Sequence, residues 1–168
     1  YKVTGVQTCA LPISYIKNEQ GQWEYKEAWF GGTVANLERA MRACPKTIFI
    51  GHAPGFWREI SGDADDATTT YPKGPVTPGG RIQSLFDKYE NLYADMSAGS
   101  GAGALKRDPD HAKRFLTKYA DRLLFARDYY ETELWDFLKT LELTQDVLKK
   151  ICETNATKLV PQIGRAHV

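Results

Sequence analysis

The stretch Thr47-Ile48-Phe49-Ile50-Gly51-His52 is a short apolar run, rich in β-branched residues, that ends in a glycine and a histidine. Such a run is typical of a strand that is buried on both faces of a parallel sheet. Upstream, residues 33–44 predict an amphipathic helix, because their apolar side chains recur at spacings of three and four. Thr33 is the expected N-cap of that helix and Pro45 its expected stop. A helix followed directly by a buried strand predicts a β/α architecture.

The same alternation continues towards the C-terminus. A helix is predicted after Gly80, and the later predicted elements are a strand at residues 92–96, a helix at 109–119 capped by Asp108, a strand at 123–126, and helices at 132–141 and 144–153, the last capped by Thr144. Loops are predicted where glycine, polar or aromatic residues dominate, at residues 14–32, 51–80 and 98–105. We therefore expect three adjacent parallel strands, within residues 48–52, 92–96 and 123–128, in the order of the sequence. A (β/α)8 barrel and an open doubly wound sheet both fit this pattern.

The composition is that of an ordinary globular domain. Of 168 residues, 42% are hydrophobic and 26% are charged, with a formal net charge of +1. This balance gives no indication of a nucleic acid or an anionic membrane as a partner. No apolar run reaches the roughly 20 residues that a membrane-spanning helix needs. Three cysteines do not make a disulfide framework, so we expect a reducing compartment, the cytoplasm.

The two ends of the chain look foreign to this pattern. Residues 3–13 read VTGVQTCALPI and residues 163–168 read IGRAHV, and both resemble conceptual translations of a sequencing adapter. The reverse complement of one nucleotide spelling of IGRAHV lies within a string that translates as VTGVQTCALPI. We therefore expect residues 1–13 and 163–168 to be non-native tails outside the core. Residues 14–162 are then expected to be a window onto a longer protein.

Candidate catalytic side chains follow two of the predicted strands. In parallel β/α folds, function collects at the C-terminal ends of the strands. His52 directly follows the first apolar strand, and Asp128 comes at the end of the third. A histidine and an aspartate at two strand ends suit a metal ion and its activated water. A structural histidine, and a helix cap or an ion pair of Asp128 with Arg127, are the simpler alternatives.

Other side chains near the strand ends are candidates for substrate binding. Phe56, Trp57 and Arg58 follow His52 closely, and they either line a pocket or pack the loop. Ser97 lies at the end of the second strand, and Arg127 stands beside Asp128, where its charge could pair with a substrate carboxylate.

Four motifs together resemble the amidohydrolase-related family of metal-dependent (β/α)8-barrel hydrolases. The motifs are Ile48-Phe49-Ile50-Gly51-His52-Ala53, Tyr89-Glu90-Asn91-Leu92-Tyr93-Ala94-Asp95-Met96-Ser97, Arg122-Leu123-Leu124-Phe125-Ala126-Arg127-Asp128-Tyr129, and the closing Lys150-Ile151-Cys152-Glu153-Thr154-Asn155-Ala156-Thr157-Lys158-Leu159. They resemble the family's strands six, seven and eight and its terminal helix. One departure is Ala126-Arg127, where the family usually has Gly-Ser or Gly-Thr.

The resemblance implies a function as well as a fold. It implies hydrolysis or decarboxylation of a small organic substrate by a divalent metal, zinc by preference, and its activated water. The family's metal ligands are a His-x-His pair on strand one, a histidine on strand five, the sixth-strand histidine and the eighth-strand aspartate. Only the last two have counterparts here, His52 and Asp128. We therefore expect this chain to bind zinc poorly and not to catalyse alone.

A Rossmann-type dinucleotide-binding domain is the alternative. The run Gly99-Ser100-Gly101-Ala102-Gly103-Ala104 fits G-x-G-x-x-A and follows a predicted strand. Two features disfavour this alternative. The helix that should open inside the glycine run would contain Pro109, and Asp95 would lie in a strand that is buried on both faces.

Overall fold

A computed structural model of the protein describes residues 6–7, 14–17, 19–26, 33–64 and 71–160. The strands are β1 (Val6–Gln7), β2 (Ser14–Lys17), β3 (Trp23–Lys26), β4 (Phe49–Gly51), β5 (Leu92–Asp95) and β6 (Leu123–Leu124). The α-helices are α1 (Val34–Ala43), α2 (Ala53–Trp57), α3 (Arg81–Lys88), α4 (Ala98–Lys106), α5 (Pro109–Lys118), α6 (Glu133–Thr140), α7 (Gln145–Lys149) and α8 (Asn155–Leu159). Single 3-10 turns stand at Arg58–Ile60 and Ala120–Arg122, and a π-helical turn at Lys150–Thr154 joins α7 to α8.

The three predicted strands form a parallel sheet in the predicted order, β4-β5-β6. Helices connect them, so the described part is a mixed α/β fold compatible with part of a (β/α)8 barrel. All of Leu92, Tyr93 and Ala94 are buried, as expected for a strand that is covered on both faces. The third strand is shorter than predicted, since it ends at Leu124 and leaves Asp128 four residues further along the chain.

The amphipathic helices place their apolar faces on this sheet. In α3, Ile82, Leu85 and Phe86 are buried, and they share one hydrophobic cluster with Leu92 of β5 and Leu123 of β6. Burial of each such side chain contributes about 1.5–3 kcal/mol relative to leaving it exposed.

One predicted loop is helical, and a second is helical in part. Residues 98–105 belong to α4, which packs against the end of β5. A Cβ on Gly101 would lie 2.5 Å from the carbonyl oxygen of Met96, so only glycine allows this close approach. Within the predicted loop 51–80, residues 53–60 form α2 and a 3-10 turn, while residues 71–80 have no regular structure and residues 65–70 lie outside the described part.

Within the predicted loop 14–32, the prediction is wrong for β2 and β3, which pair as an antiparallel hairpin, while residues 18 and 27–32 lie outside the described part. In the predicted N-terminal tail, β1 pairs in parallel with β4 as a two-residue edge strand. The predicted C-terminal tail lies outside the described residues.

Two of the predicted helix caps are confirmed. The Asp108 side chain accepts a hydrogen bond from the backbone N–H of His111, and Thr144 Oγ1 accepts one from Val147. Thr33 stands at the N-cap of α1 but makes no side-chain cap hydrogen bond there. Within the described residues, no helix has the length and apolar character that crossing a membrane requires.

Candidate active site at the ends of the parallel strands

The register of β4 and β5 places His52 beside Asp95. Gly51 pairs with Ala94, so the next residues along the two parallel strands are His52 and Asp95. Nδ1 of His52 lies 3.2 Å from Oδ2 of Asp95. Both side chains are partly exposed, at 17% and 24%, so the pair lies at the surface of the sheet's C-terminal edge and is open to a ligand.

Ser97 and Trp57 hold Asp95 in place. The Ser97 backbone N–H donates to Oδ1 of Asp95 at 2.8 Å, and its hydroxyl donates to Oδ2 at 2.9 Å. The buried Trp57 donates from Nε1 to the Asp95 carbonyl at 2.8 Å. Two bonds from Ser97 therefore fix the carboxylate, and the bond from Trp57 fixes the backbone of Asp95.

The electrostatics of the pair favour its charged form. The hydrogen bond to Asp95 raises the pKa of His52 above the usual histidine value, against the opposing effect of burial, and the charges of Asp95 and Asp128 act in the same direction as the hydrogen bond. For Asp95, burial is the largest single influence and would raise its pKa. The bonds from His52 and from the Ser97 amide and hydroxyl together outweigh burial and lower it.

The backbone is strained directly after both strand ends. Ala53, after His52, has φ of 70°, and Ala98, after Ser97, has φ of 61°. This left-handed conformation costs an alanine about 1–2 kcal/mol. Such strain persists only where the surrounding structure enforces it, and it clusters at functional sites. Both strained residues open the helices, α2 and α4, that start from the candidate site.

The geometry does not fit a serine nucleophile. In a Ser-His-Asp triad, the serine and the aspartate bond to different ring nitrogens of the histidine. Here Ser97 Oγ lies 3.5 Å from the same Nδ1 that faces Asp95, and it donates to Asp95 instead. The arrangement orients the ring of His52 and leaves its Nε2 for a ligand or a proton. A carboxylate on the far ring nitrogen is also the usual partner of a metal-ligating histidine.

Asp128 lies apart from this pair. It is exposed and lines a small cavity with Arg127, Glu131 and Trp135 at the start of α6. Its charge acts on the pKa of His52, but no direct contact joins the two side chains among the described residues. The two predicted ligands therefore do not come together among the described residues.

The three substrate-binding candidates that follow His52 in the sequence are all buried. Phe56 and Trp57 are 5% and 0% exposed and pack in the hydrophobic core, edge to face with each other. Of the two roles expected for Phe56 and Trp57, lining a pocket or packing the loop, packing is therefore the one that the structure supports. Arg58 is buried too, and it lines a second cavity beyond α2.

The described residues do not make a metal centre by themselves. No group of three or more His, Cys, Asp or Glu side chains that could hold a metal ion occurs in the described part of the chain. Catalytic zinc sites use three protein ligands. His52 and Asp128 supply two at most, and they are not in contact.

Sequence comparison decides between the two candidate families. The profile of the amidohydrolase family matches residues 20–162, which is most of the chain. The chain belongs to the amidohydrolase family. A search of curated proteins and a search of solved structures found no match to this amidohydrolase chain.

The Rossmann alternative has no comparable support. One argument against it was nevertheless wrong, since α4 does begin at the glycine run and ends at Lys106, before Pro109. The glycine at position 101 serves the close packing of α4 on Met96.

Sequence reasoning missed Asp95 as a site residue. The signal was present, because Asp95 ends an apolar strand within a motif that resembles the family's seventh strand. Its role became evident only from the register of β4 and β5, which sets it against His52.

Proposed function

We propose that the chain is part of a metal-dependent hydrolase of the amidohydrolase superfamily, which acts on a small organic substrate by hydrolysis or decarboxylation. The His52–Asp95 pair carries the proposal, since it lies at the C-terminal edge of a parallel sheet in a chain of this family. The proposed location is the cytoplasm.

The described residues suggest a distinct role for each group. Asp95 holds the His52 ring with Nδ1 inward, so Nε2 can accept or donate a proton at the reacting group. Ser97 keeps Asp95 in place. Asp128 is the second proposed ligand, and Arg127 beside it is the proposed partner of a substrate carboxylate.

The proposed cofactor is a divalent metal, zinc by preference. It would supply Lewis-acid activation of a water molecule. Of this chain, His52 and Asp128 are the proposed ligands, and the resemblance assigns the remaining ligands to strands one and five. Those strands have no counterpart among the described residues, so we propose that the longer parent protein holds the metal and that this chain binds zinc weakly.

The test compares the parent protein, including the upstream coding sequence, with its Asp128→Asn and His52→Gln variants. Metal content is measured by elemental analysis, and activity on a panel of small amides, esters and aromatic carboxylic acids. We expect a stoichiometric divalent metal, loss of most activity in Asp128→Asn, and a larger loss of kcat than of metal in His52→Gln.

Asp110→Asn is the matched control, because it removes an exposed carboxylate at the start of α5. It should keep both metal and activity. A metal-free parent with full activity would reject the hydrolase proposal. Full metal and full activity in Asp128→Asn would reject the assignment of Asp128 alone.

A further inference from the structure

A hydrogen-bonded histidine outside the candidate active site joins three elements of the fold. His111, in the first turn of α5, borders a groove that is also lined by α3 and by residues 76–80. Its Nε2 lies 3.0 Å from Nε2 of Gln83 in α3, and the same Gln83 nitrogen donates to the carbonyl oxygen of Ile60 at 2.9 Å. The Gln83 side chain thus connects α3 both to α5 and to the 3-10 turn that ends at Ile60.

The hydrogen bond to Ile60 fixes the orientation of the Gln83 amide. A carbonyl oxygen only accepts hydrogen bonds, and a flipped amide would set two oxygens against each other at this distance. The amide nitrogen has two hydrogens, and the second one is available to His111. Because this nitrogen only donates, Nε2 of His111 accepts, and the proton of the neutral ring therefore lies on Nδ1.

Protonation of His111 is incompatible with this network. The imidazolium carries a hydrogen on Nε2 as well, and that hydrogen would point at the donor nitrogen of Gln83. If the amide turns over, its oxygen can accept from the ring, but the oxygen then faces the Ile60 carbonyl. One of the two hydrogen bonds is lost in either case, so Gln83 no longer connects α5 to the 3-10 turn.

The surroundings of the ring favour its neutral form. The charged groups that act on the pKa of His111 are Asp108, Arg114 and Arg107. Burial has the largest effect and lowers the pKa of His111; the aspartate opposes burial, and the two arginines act in the same direction as burial. The neutral ring, which the network requires, is therefore the form present at neutral pH.

The other charged groups around the groove are already paired. Asp87 of α3 lines the groove, but Nζ of Lys118 lies 2.7 Å from this carboxylate. In the 3-10 turn, the carboxylate of Glu59 is bonded to a guanidinium group. Residues 76–80 carry no charged side chain. Of the two carboxylates that line the groove among the described residues, Asp108 is the one that acts on the ring, and it also caps α5.

We propose that His111 is a pH-sensitive switch: the neutral ring, protonated on Nδ1, connects α5 to the 3-10 turn through Gln83, and protonation of Nε2 breaks that connection. The break is local, because Phe115 of α5 still packs edge to face on Phe86 of α3, with 5.9 Å between the ring centroids. Since the pKa of His111 is lowered on folding, the connection is complete above about pH 6.5 and is lost as the pH falls through the folded value. The switch needs no metal and none of the proposed hydrolase chemistry.

The test is NMR spectroscopy of the isotope-labelled 168-residue chain between pH 8 and pH 5. Long-range proton–nitrogen correlations give the tautomer and the protonation midpoint of each histidine ring, and His111→Gln identifies the signals of His111. Gln83→Ala removes the donor to the ring. Ser84→Ala is the matched control, because Ser84 lines the same groove, is exposed, and bonds to a carbonyl of its own helix.

We expect the Nδ1–H tautomer at pH 8, together with a nuclear Overhauser contact between the Gln83 amide hydrogens and the His111 ring that disappears when the ring is protonated. In Gln83→Ala the ring should take the Nε2–H tautomer that free histidine prefers in water. Its acid dissociation constant should fall roughly two- to tenfold, as for one lost hydrogen bond, and Ser84→Ala should change neither quantity.

Two outcomes in the unmodified chain would overturn the proposal, so it does not depend on the folding of any variant. One is an Nε2–H tautomer of His111 at pH 8. The other is a contact between the Gln83 amide hydrogens and the ring that persists after protonation. An Nδ1–H tautomer retained in a folded Gln83→Ala variant would equally contradict the role of Gln83.

Discussion

Nδ1 of His52 lies 3.2 Å from Oδ2 of Asp95, and the two residues directly follow the last paired positions of neighbouring parallel strands, Gly51 and Ala94. Backbone hydrogen bonding therefore sets their separation. Ser97 holds the carboxylate of Asp95, and Trp57 holds its backbone carbonyl. A pair held in this way needs little rearrangement to act on a ligand, which is the condition for efficient proton transfer or metal ligation.

The pair predicts a characteristic dependence of stability on pH. Because the pKa of His52 is raised on folding, its contribution is complete below about pH 6.5 and is lost as the pH rises through the folded value. Because the pKa of Asp95 is lowered, its contribution is present above about pH 4 and is lost as the pH falls through the folded value. The pair should therefore stabilise most between these limits.

Urea unfolding at pH 5.5 and pH 8 measures this effect. The free energy of unfolding of the unmodified chain, relative to His52→Gln, should be larger at pH 5.5 than at pH 8. His111→Gln is the control, since burial lowers the pKa of His111 and its linkage has the opposite sign. An identical difference between the unmodified chain and His52→Gln at both pH values would contradict the predicted linkage.

Gly101→Ala should destabilise the chain by about 1–3 kcal/mol, the usual effect of overpacking. The added Cβ would lie 2.5 Å from the Met96 carbonyl oxygen and 2.8 Å from its Cα, so α4 would have to move away from β5. Gly99→Ala is the matched control, because a Cβ there meets nothing within 4 Å and alanine favours a helix by roughly 0.5–1 kcal/mol. Chemical denaturation of both variants gives the comparison, and equal stabilities would show that α4 does not approach Met96 so closely.

The parts of the fold that follow from local pattern were predictable. The period of apolar residues in α3 and the capping residues of α5 and α7 predicted those helices, and the unbroken apolar run at residues 47–50 predicted β4. The order β4-β5-β6 followed from the one-directional alternation of strands and helices. Each of these signals is contained in neighbouring residues of the sequence.

The rest depends on contacts that form only in the folded chain. The glycines of α4 predict a loop from sequence alone. The structure shows that Gly101 allows a helix to approach the Met96 carbonyl closely. Asp128 was predicted to end a strand, but the backbone N–H of Phe125 donates to Ile151, so strand pairing stops at Leu124 and Asp128 moves onto an exposed segment. Asp95 could be assigned to the site only once the register was known.

Asn155 should be the most sensitive polar residue of the C-terminal region. It is 3% exposed, and its Nδ2 donates to the carbonyls of Ala120 and Leu123 at 2.6 and 2.8 Å, which ties α8 to the start of β6. Asn155→Ala leaves both carbonyls without this donor and should cost roughly 1–3 kcal/mol. Thr157→Ala on the exposed side of α8 is the control, and its effect should stay within about 0.5 kcal/mol. A cost for Asn155→Ala no larger than that of the control would contradict this role.

Removal of residues 1–13 and 163–168 should leave the fold intact. In the first segment, the described contact with the sheet is the two-residue pairing of Val6–Gln7 with β4 at its edge. We expect the melting temperature to shift by less than about 4 °C, the change that roughly 1 kcal/mol produces in a domain of this size. A second truncation that removes residues 155–168 provides the contrast, because it deletes Asn155 and its two bonds to buried carbonyls and should lower the melting temperature well beyond that margin. Differential scanning calorimetry of the two truncated proteins decides the matter: a large drop on trimming only residues 1–13 and 163–168 would mean that these segments belong to the folded domain.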